Sequence, residues 1–164
     1  MRIIGIDPGT AITGFAILDV KNKKRTLLDF GYISTPPKTQ NAYRLNQIAE
    51  DLDQILEKWN PDRAGIEKLF FNKNIKTAIS VAEARGVITQ RLSARNLPID
   101  EFGPSEIKSS VCGNGKADKK AVQKMVTLLM NLQKTPKPDD VADAIAVAIC
   151  CAGKNIIQKN IIQK

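Results

Sequence analysis

Two short stretches decide the fold: residues 2–10 read RIIGIDPGT and residues 63–67 read RAGIE. Each is an apolar run that ends in an acid, Asp7 or Glu67, as a buried strand would if it carried a carboxylate at its end. Asn41–Trp59, which lies between them, has apolar residues three and four apart and is predicted to be an amphipathic helix. Because a strand-helix-strand crossover of this length gives parallel strands, we expect Asp7 and Glu67 to lie side by side where α/β sheets bind ligands.

The remaining pattern predicts an α/β domain with a five-stranded mixed sheet that opens as an antiparallel meander. The other strands are predicted at Ile12–Val20, Arg25–Ser34 and Leu97–Phe102. Further helices are predicted over Asn74–Leu92, Pro104–Val111, Lys119–Leu132 and Asp139–Ala152, the last closed by Gly153. Residues 1–153 are predicted to form one domain. The tail 154–164, which contains NIIQK twice, receives no function.

Composition limits the chemistry. The chain has 164 residues and no histidine, which excludes sites that need imidazole, and its three cysteines are too few for a disulfide framework, so we interpret them as buried thiols. A net charge of +8 favours a polyanionic partner. The beginning of the chain lacks the apolar core of a secretory signal and no apolar run is long enough for a bilayer span, so we expect a cytoplasmic protein.

The last predicted helix carries a second pair of acids, Asp140 and Asp143, which share one face. Asp139 before them suits an N-cap, but Asp143 lies deeper among apolar residues, where an unpaired charge is costly. A divalent cation would resolve this conflict. Oxygen ligands without His or Cys favour Mg2+ or Mn2+, and together with basic clusters they predict two-metal phosphodiester hydrolysis.

The long predicted helix Asn74–Leu92 presents Ala78, Ala82 and Gly86 at four-residue steps, so one of its faces is almost free of side chains. Such a face lets another element approach closely. Two interpretations remain open at this point: tight packing against the protein's own sheet, or self-association.

Four blocks together resemble the RuvC family of Holliday-junction resolvases: residues 3–10 (IIGIDPGT), 65–74 (GIEKLFFNKN), 84–87 (ARGV) and 140–149 (DVADAIAVAI). The resemblance implies a ribonuclease-H-like fold, a homodimer, and symmetric nicking of two opposed strands of a four-way DNA junction in recombination and repair. It also implies four catalytic, metal-binding acids, with two Mg2+ ions per active site that Mn2+ can replace: Asp7, Glu67, Asp140 and Asp143.

The resemblance further implies DNA-binding residues, namely Phe70, Lys73, Lys108, Lys116 and Lys119. Phe71 is a possible substitute for Phe70. The family's dimer contact uses the helix with the ARGV block, which favours self-association through Ala78, Ala82 and Gly86. The branch-migration proteins RuvA and RuvB are the expected partners.

Three other functions share some of these sequence features. A nuclease of the same superfold could act on flaps, other branched nucleic acid or RNA, since a metal site fixes the chemistry but not the shape of the substrate. An actin-like or sugar-kinase-type ATPase lobe also begins with a strand ending in Asp-x-Gly-Thr, but such proteins usually need two lobes. An inactive DNA-binding module is disfavoured because all four acids are present.

Overall fold

The computed structural model describes residues 1–69 and 75–162, with side chains for 1–69 and 78–154. Its strands are β1 (Arg2–Asp7), β2 (Ile12–Lys21), β3 (Lys24–Ser34), β4 (Arg63–Glu67) and β5 (Ile99–Phe102). Its helices are α1 (Asn41–Trp59), α2 (Ile75–Ala94), α3 (Pro104–Cys112), α4 (Lys119–Leu129) and α5 (Asp139–Ile162).

The strands form one mixed sheet in the order β3-β2-β1-β4-β5. β1 pairs antiparallel with β2, which pairs antiparallel with β3, so the predicted opening meander is confirmed. β4 lies parallel to β1 and β5 parallel to β4, as the crossover through α1 predicts. The α/β fold with a five-stranded mixed sheet is therefore confirmed.

Helices cover both faces of the sheet because alternate strand residues are apolar on each side. On one face, Ile4, Ile6 and Ile17 pack with apolar residues of α1 and α2. On the other face, Ile3 and Leu18 pack with apolar residues of α3, α4 and α5. α5 is the most deeply buried helix: every residue from Ala144 to Ala152 is buried.

Several predicted boundaries are wrong for local reasons. α4 ends at Leu129 rather than Leu132, because the chain turns through Asn131 at φ 50°. β5 begins at Ile99 rather than Leu97, since the backbone N–H of Leu97 still donates to Leu92 at the end of α2. α5 continues through Gly153 to Ile162, because Gly153 keeps a negative φ and does not cap the helix.

None of the three cysteines, which all lie in the described part of the chain, forms a disulfide; Cys150 and Cys151 are buried as predicted, whereas Cys112 is half-buried. None of the helices in the described part of the chain combines the length and the apolar character that a transmembrane segment requires.

Candidate active site

Two strand ends bring the first pair of acids together. In the parallel ladder Gly5 pairs with Gly65 and Ile6 with Ile66, so Asp7 and Glu67 follow at adjacent positions on the carboxyl edge of the sheet. The turn after Asp7 is closed by Thr13, whose hydroxyl donates to the carbonyl oxygen of Gly9 at 2.6 Å. The two acids that the sequence placed side by side are neighbours in the structure.

α5 brings the second pair because it lies directly on the sheet backbone. A methyl group at Gly5 would lie 2.5 Å from the backbone nitrogen of Ala148, and one at Gly14 would lie 2.5 Å from the carbonyl carbon of Asp140. Real Cβ atoms do not approach other heavy atoms so closely. Glycines on two adjacent strands therefore allow the beginning of α5, with Asp140 and Asp143, to reach the edge where β1 ends.

Asp7 lies at the centre of this negative cluster. Burial raises the pKa of Asp7 well above its ordinary range, and the charges of three acids raise it further: Glu67, Asp143 and Asp140. Burial also raises the pKa of Glu67 above its usual value, and the charge of Asp143 adds to the shift. The cluster consequently lacks positive charge.

Lys119 supplies part of the missing charge from α4. Its ammonium nitrogen lies 3.4 Å from Asp143 Oδ2 and 3.3 Å from Asp139 Oδ2. Burial raises the pKa of Asp143, whereas Lys119 lowers it; the net direction is upward. Conversely, burial would lower the pKa of Lys119, but the charges of Asp143 and Asp139 keep it above the ordinary lysine value. The cationic neighbour of Asp143 thus comes from α4 and not from its own helix.

Asp139 is not the N-cap residue that the sequence predicted. α5 begins at Asp139 itself, and the Asp139 carboxylate accepts a hydrogen bond from Gln123 Nε2 at 2.9 Å in addition to its ion pair with Lys119. Asp139 therefore anchors α4 to the beginning of α5, and in the described contacts it faces α4 rather than the other acids.

The donor set fits a hard divalent cation, since each of the four acids offers only oxygen and the raised pKa values of Asp7, Glu67 and Asp143 favour a site that gains positive charge. Within residues 1–69 and 75–162, however, no three potential ligands already converge on one ion position. The carboxylates therefore lie near one another, but within the described residues they do not form a closed coordination site.

A cavity of about 210 Å3 opens beside the acids. Glu67, Asp143, Lys108 and Lys119 line it together with apolar residues of α3 and α4. Two carboxylates and two ammonium groups therefore line one space that a phosphate group could enter. Lys108 and Lys119 are thus brought to the acids, as the sequence-based assignment requires.

The other assigned residues are distributed as follows. Lys116 is exposed on the loop between α3 and α4, where its backbone N–H donates to Asn114 Oδ1 at 3.0 Å. Phe70, its neighbour Phe71, and Lys73 lie outside the described residues. Their proposed roles stay predictions.

The face of α2 with Ala78, Ala82 and Gly86 does not pack on the sheet. The sheet contacts of α2 come from Ala84, Ile88 and Leu92, whereas Gly86 is exposed and a methyl group there would meet nothing within 4 Å. Of the two interpretations of this face, packing against the protein's own sheet is wrong.

Sequence reasoning missed three features of the site. The packing role of Gly5 and Gly14 depends on which helix crosses them, and their only signal was small residues next to functional ones. The pairing of Lys119 with Asp143 depends on the position of α4. Arg85, inside the ARGV block, donates from Nε to the backbone carbonyl of Glu67 at 3.4 Å, and the block itself was the only hint.

Comparison with known proteins gives a consistent result. Residues 3–151 match the family model for crossover junction endodeoxyribonuclease RuvC. The chain is similar to crossover junction endodeoxyribonuclease RuvC of Clostridioides difficile strain 630, at 47% identity over 98% of this chain and 95% of that protein. It is also similar to the protein of the same description from Halothermothrix orenii, at 49% identity over 92% of this chain and 91% of that protein.

Comparison with solved structures also finds RuvC and another Holliday junction resolvase. Thermus thermophilus RuvC in complex with a Holliday junction substrate superimposes with a TM-score of 0.90 at 28% identity, covering 96% of both chains. Yeast mitochondrial resolvase Ydc2, at 14% identity and a TM-score of 0.64, shares the fold over 92% of this chain and 78% of its own.

Proposed function

The chain belongs to the RuvC family of crossover junction endodeoxyribonucleases, and from this premise we propose how its residues perform that activity. We propose that Asp7, Glu67, Asp140 and Asp143 are the catalytic acids and hold the divalent cations of the reaction. The observation that carries the proposal is the meeting of two strand ends and the beginning of α5 at one edge of the sheet.

We propose Mg2+ as the physiological ion, two per active site, with Mn2+ able to replace it. The chemistry that such ions supply is the generation of hydroxide from water and the stabilisation of the leaving oxygen. The protein's part is to hold the acids in place. Asp7 is the residue most in need of a cation, because it is buried against three other acids.

Lys108 and Lys119 are proposed to hold the phosphate that is cut. Both line the cavity that Glu67 and Asp143 also line, so a phosphodiester entering it would meet ammonium groups close to the acids. Lys116 on the adjacent loop, together with Phe70 and Lys73, is proposed to bind the DNA around that phosphate. An aromatic ring such as that of Phe70 can stack on a base at an opened junction.

Symmetric nicking of two opposed strands requires two copies of the site, and we propose a homodimer that joins through α2. On its face of Ala78, Ala82 and Gly86, the two alanines are half-buried and Gly86 is exposed, and Ile79 beside them is 55% exposed and could pack against a second copy. We further propose that the enzyme works in the cytoplasm, where the DNA of bacteria lies, with RuvA and RuvB as partners.

The test is cleavage of a labelled four-way junction beside flap, linear duplex and RNA/DNA hybrid substrates, each with Mg2+, Mn2+ or EDTA. Paired symmetric nicks in the junction alone, abolished by EDTA and by Asp7→Asn, would support the proposal. Cutting of another substrate in preference would contradict the junction selectivity, and cutting in EDTA would contradict the role of the acids.

A further inference from the structure

Helix α2 is tied to the active site by two hydrogen bonds that the proposed chemistry does not use. The first comes from Thr10, which lies in the turn after Asp7 and is only 5% exposed. Its hydroxyl donates to the backbone carbonyl of Ser80 in α2 at 2.6 Å. The carbonyl of Thr10 in turn accepts from the hydroxyl of Thr35 at 2.5 Å, so Thr10 is held from both sides.

The second tie comes from Arg85, which projects from α2 toward the ends of β4 and β5. Its Nε donates to the backbone carbonyl of Glu67 at 3.4 Å, and its Nη2 forms an ion pair with Glu101. Because Arg85 contacts the backbone of Glu67, it leaves the Glu67 carboxylate free to face the cavity.

These ties matter because the first half of α2 has little other anchoring to the sheet among the described residues. Its buried residues, Ala84, Ile88 and Leu92, lie from the middle of the helix onward, whereas Ile79 is exposed. In this part of α2 the contacts to the strand ends come from the Ser80 carbonyl, which accepts from Thr10, and from the side chain of Arg85.

We infer that Thr10 and Arg85 are positioning residues that couple the placement of α2, and therefore of a second copy packed on it, to the placement of Asp7 and Glu67. The inference rests on the proposed function of those two acids. The ends of β1 and β4 would then be positioned by α2, the helix proposed to contact the second copy. A displacement of α2 would therefore move Asp7 and Glu67 of the same copy. Misplacement by about 1 Å can lower a catalytic rate on the order of a hundredfold.

The test compares Thr10→Val and Arg85→Gln, each alone and combined, with the wild type. Matched controls are Arg91→Gln, which removes an ion pair between the same helix and Asp53, and Thr127→Val, which removes a hydroxyl bond to the Gln123 carbonyl within α4. The measurements are the dimer fraction, junction affinity in EDTA, hydrogen exchange of the segments 5–13 and 63–69, and the single-turnover nicking rate.

We expect the Thr10 and Arg85 variants to dimerise and bind the junction like the wild type, within about twofold, and to nick about tenfold or more slowly. Exchange should be faster in the two strand-end segments, and the controls should change none of these readouts. Arg85→Lys gives the sharpest comparison, because lysine can keep the ion pair with Glu101 but has no Nε to hold the Glu67 carbonyl.

Full activity of Arg85→Lys, or unchanged exchange and nicking in the variant that lacks both ties, would overturn the inference. A wild type that neither binds nor cuts junctions would refute the proposed function instead, whereas the exchange measurement would still report on the two ties. The single variants keep the test available if the combined variant does not fold.

Discussion

Asp7 shows at the scale of one residue how the site trades stability for function. A carboxylate that is buried against three others is destabilised in its charged form, and burial is the larger cause. Nothing in the packing of β1 requires an acid at this position. We attribute its presence to the divalent cation proposed for this site, and catalytic sites commonly keep unfavourable groups of this kind.

Replacement of Asp7 should therefore separate activity from stability. We expect Asp7→Asn to abolish cleavage, to leave junction binding largely intact because basic residues supply most of the affinity, and to raise the free energy of unfolding of the metal-free protein by roughly 1–2 kcal/mol. Urea denaturation in EDTA and binding assays measure these effects. Loss of binding together with cleavage would contradict the division of labour.

The stability gain should depend on pH with a defined sign. A carboxyl group whose pKa is raised by folding holds its proton more tightly in the folded chain, so it costs no stability below the unfolded value of about 3.9 and destabilises progressively above it. The difference between Asp7→Asn and the wild type should vanish near pH 3.5 and grow toward neutral pH. Equal differences at all pH values would show that the charge is not the cause.

Lys119 has two predicted effects because it contacts both the acids and the cavity. We expect Lys119→Ala to weaken junction binding and to reduce the slope of log affinity against log salt concentration by about 1, the loss of one phosphate contact. Lys21→Ala is the matched control, since Lys21 is 82% exposed at the opposite edge of the sheet, beside Asp19. A salt slope that is unchanged in Lys119→Ala would remove this residue from the phosphate contacts.

At the scale of elements, the contact between α5 and the sheet decides whether four acids can meet. Glycine is required at Gly5 and Gly14 because the helix backbone occupies the space of a side chain. At Gly65 the fit is also tight, with a methyl group 3.0 Å from the Cβ of Cys151. These three glycines thus allow α5 to pack directly against the backbone of the strands.

Gly5→Ala should therefore displace α5, cost about 1–3 kcal/mol of stability, and reduce cleavage although Gly5 is not a ligand. Gly153→Ala is the matched control on the same helix, because a methyl group there lies 3.7 Å or more from other atoms and should stabilise the helix by about 0.5–1 kcal/mol. Thermal unfolding and nicking assays measure both. If Gly5→Ala does not fold, the milder Gly65→Ala tests the same contact, and wild-type activity and stability there would refute it.

At the scale of the whole molecule, the proposed dimer depends on a face that the fold leaves open. Introducing a charge there should separate the copies, since each would meet the same charge near a two-fold axis. We expect Ala82→Glu to be a monomer in sedimentation experiments and to lose paired nicking, while Ala42→Glu, the same change at an exposed position of α1, remains dimeric. A dimeric Ala82→Glu would place the interface elsewhere.

Much of this protein could be predicted from sequence because the signals are local or periodic. The continuous apolar run of β1 and the helical spacing in Asn41–Trp59 defined the elements, and the length of the crossover predicted that β1 and β4 are parallel. The family also followed from four short blocks in the right order. Boundaries failed where one residue decided them, as Gly153 shows by continuing α5 instead of ending it.

The sequence by itself thus determined that Asp7 and Glu67 end neighbouring parallel strands, since strand pattern and crossover length are properties of the chain. Only the tertiary structure decided how closely α5 approaches Gly5, that Lys119 reaches Asp143 from another helix, and that Arg85 holds the end of β4. These contacts depend on how each helix packs on its neighbours and how far a side chain extends, and neither strand pattern nor crossover length specifies that.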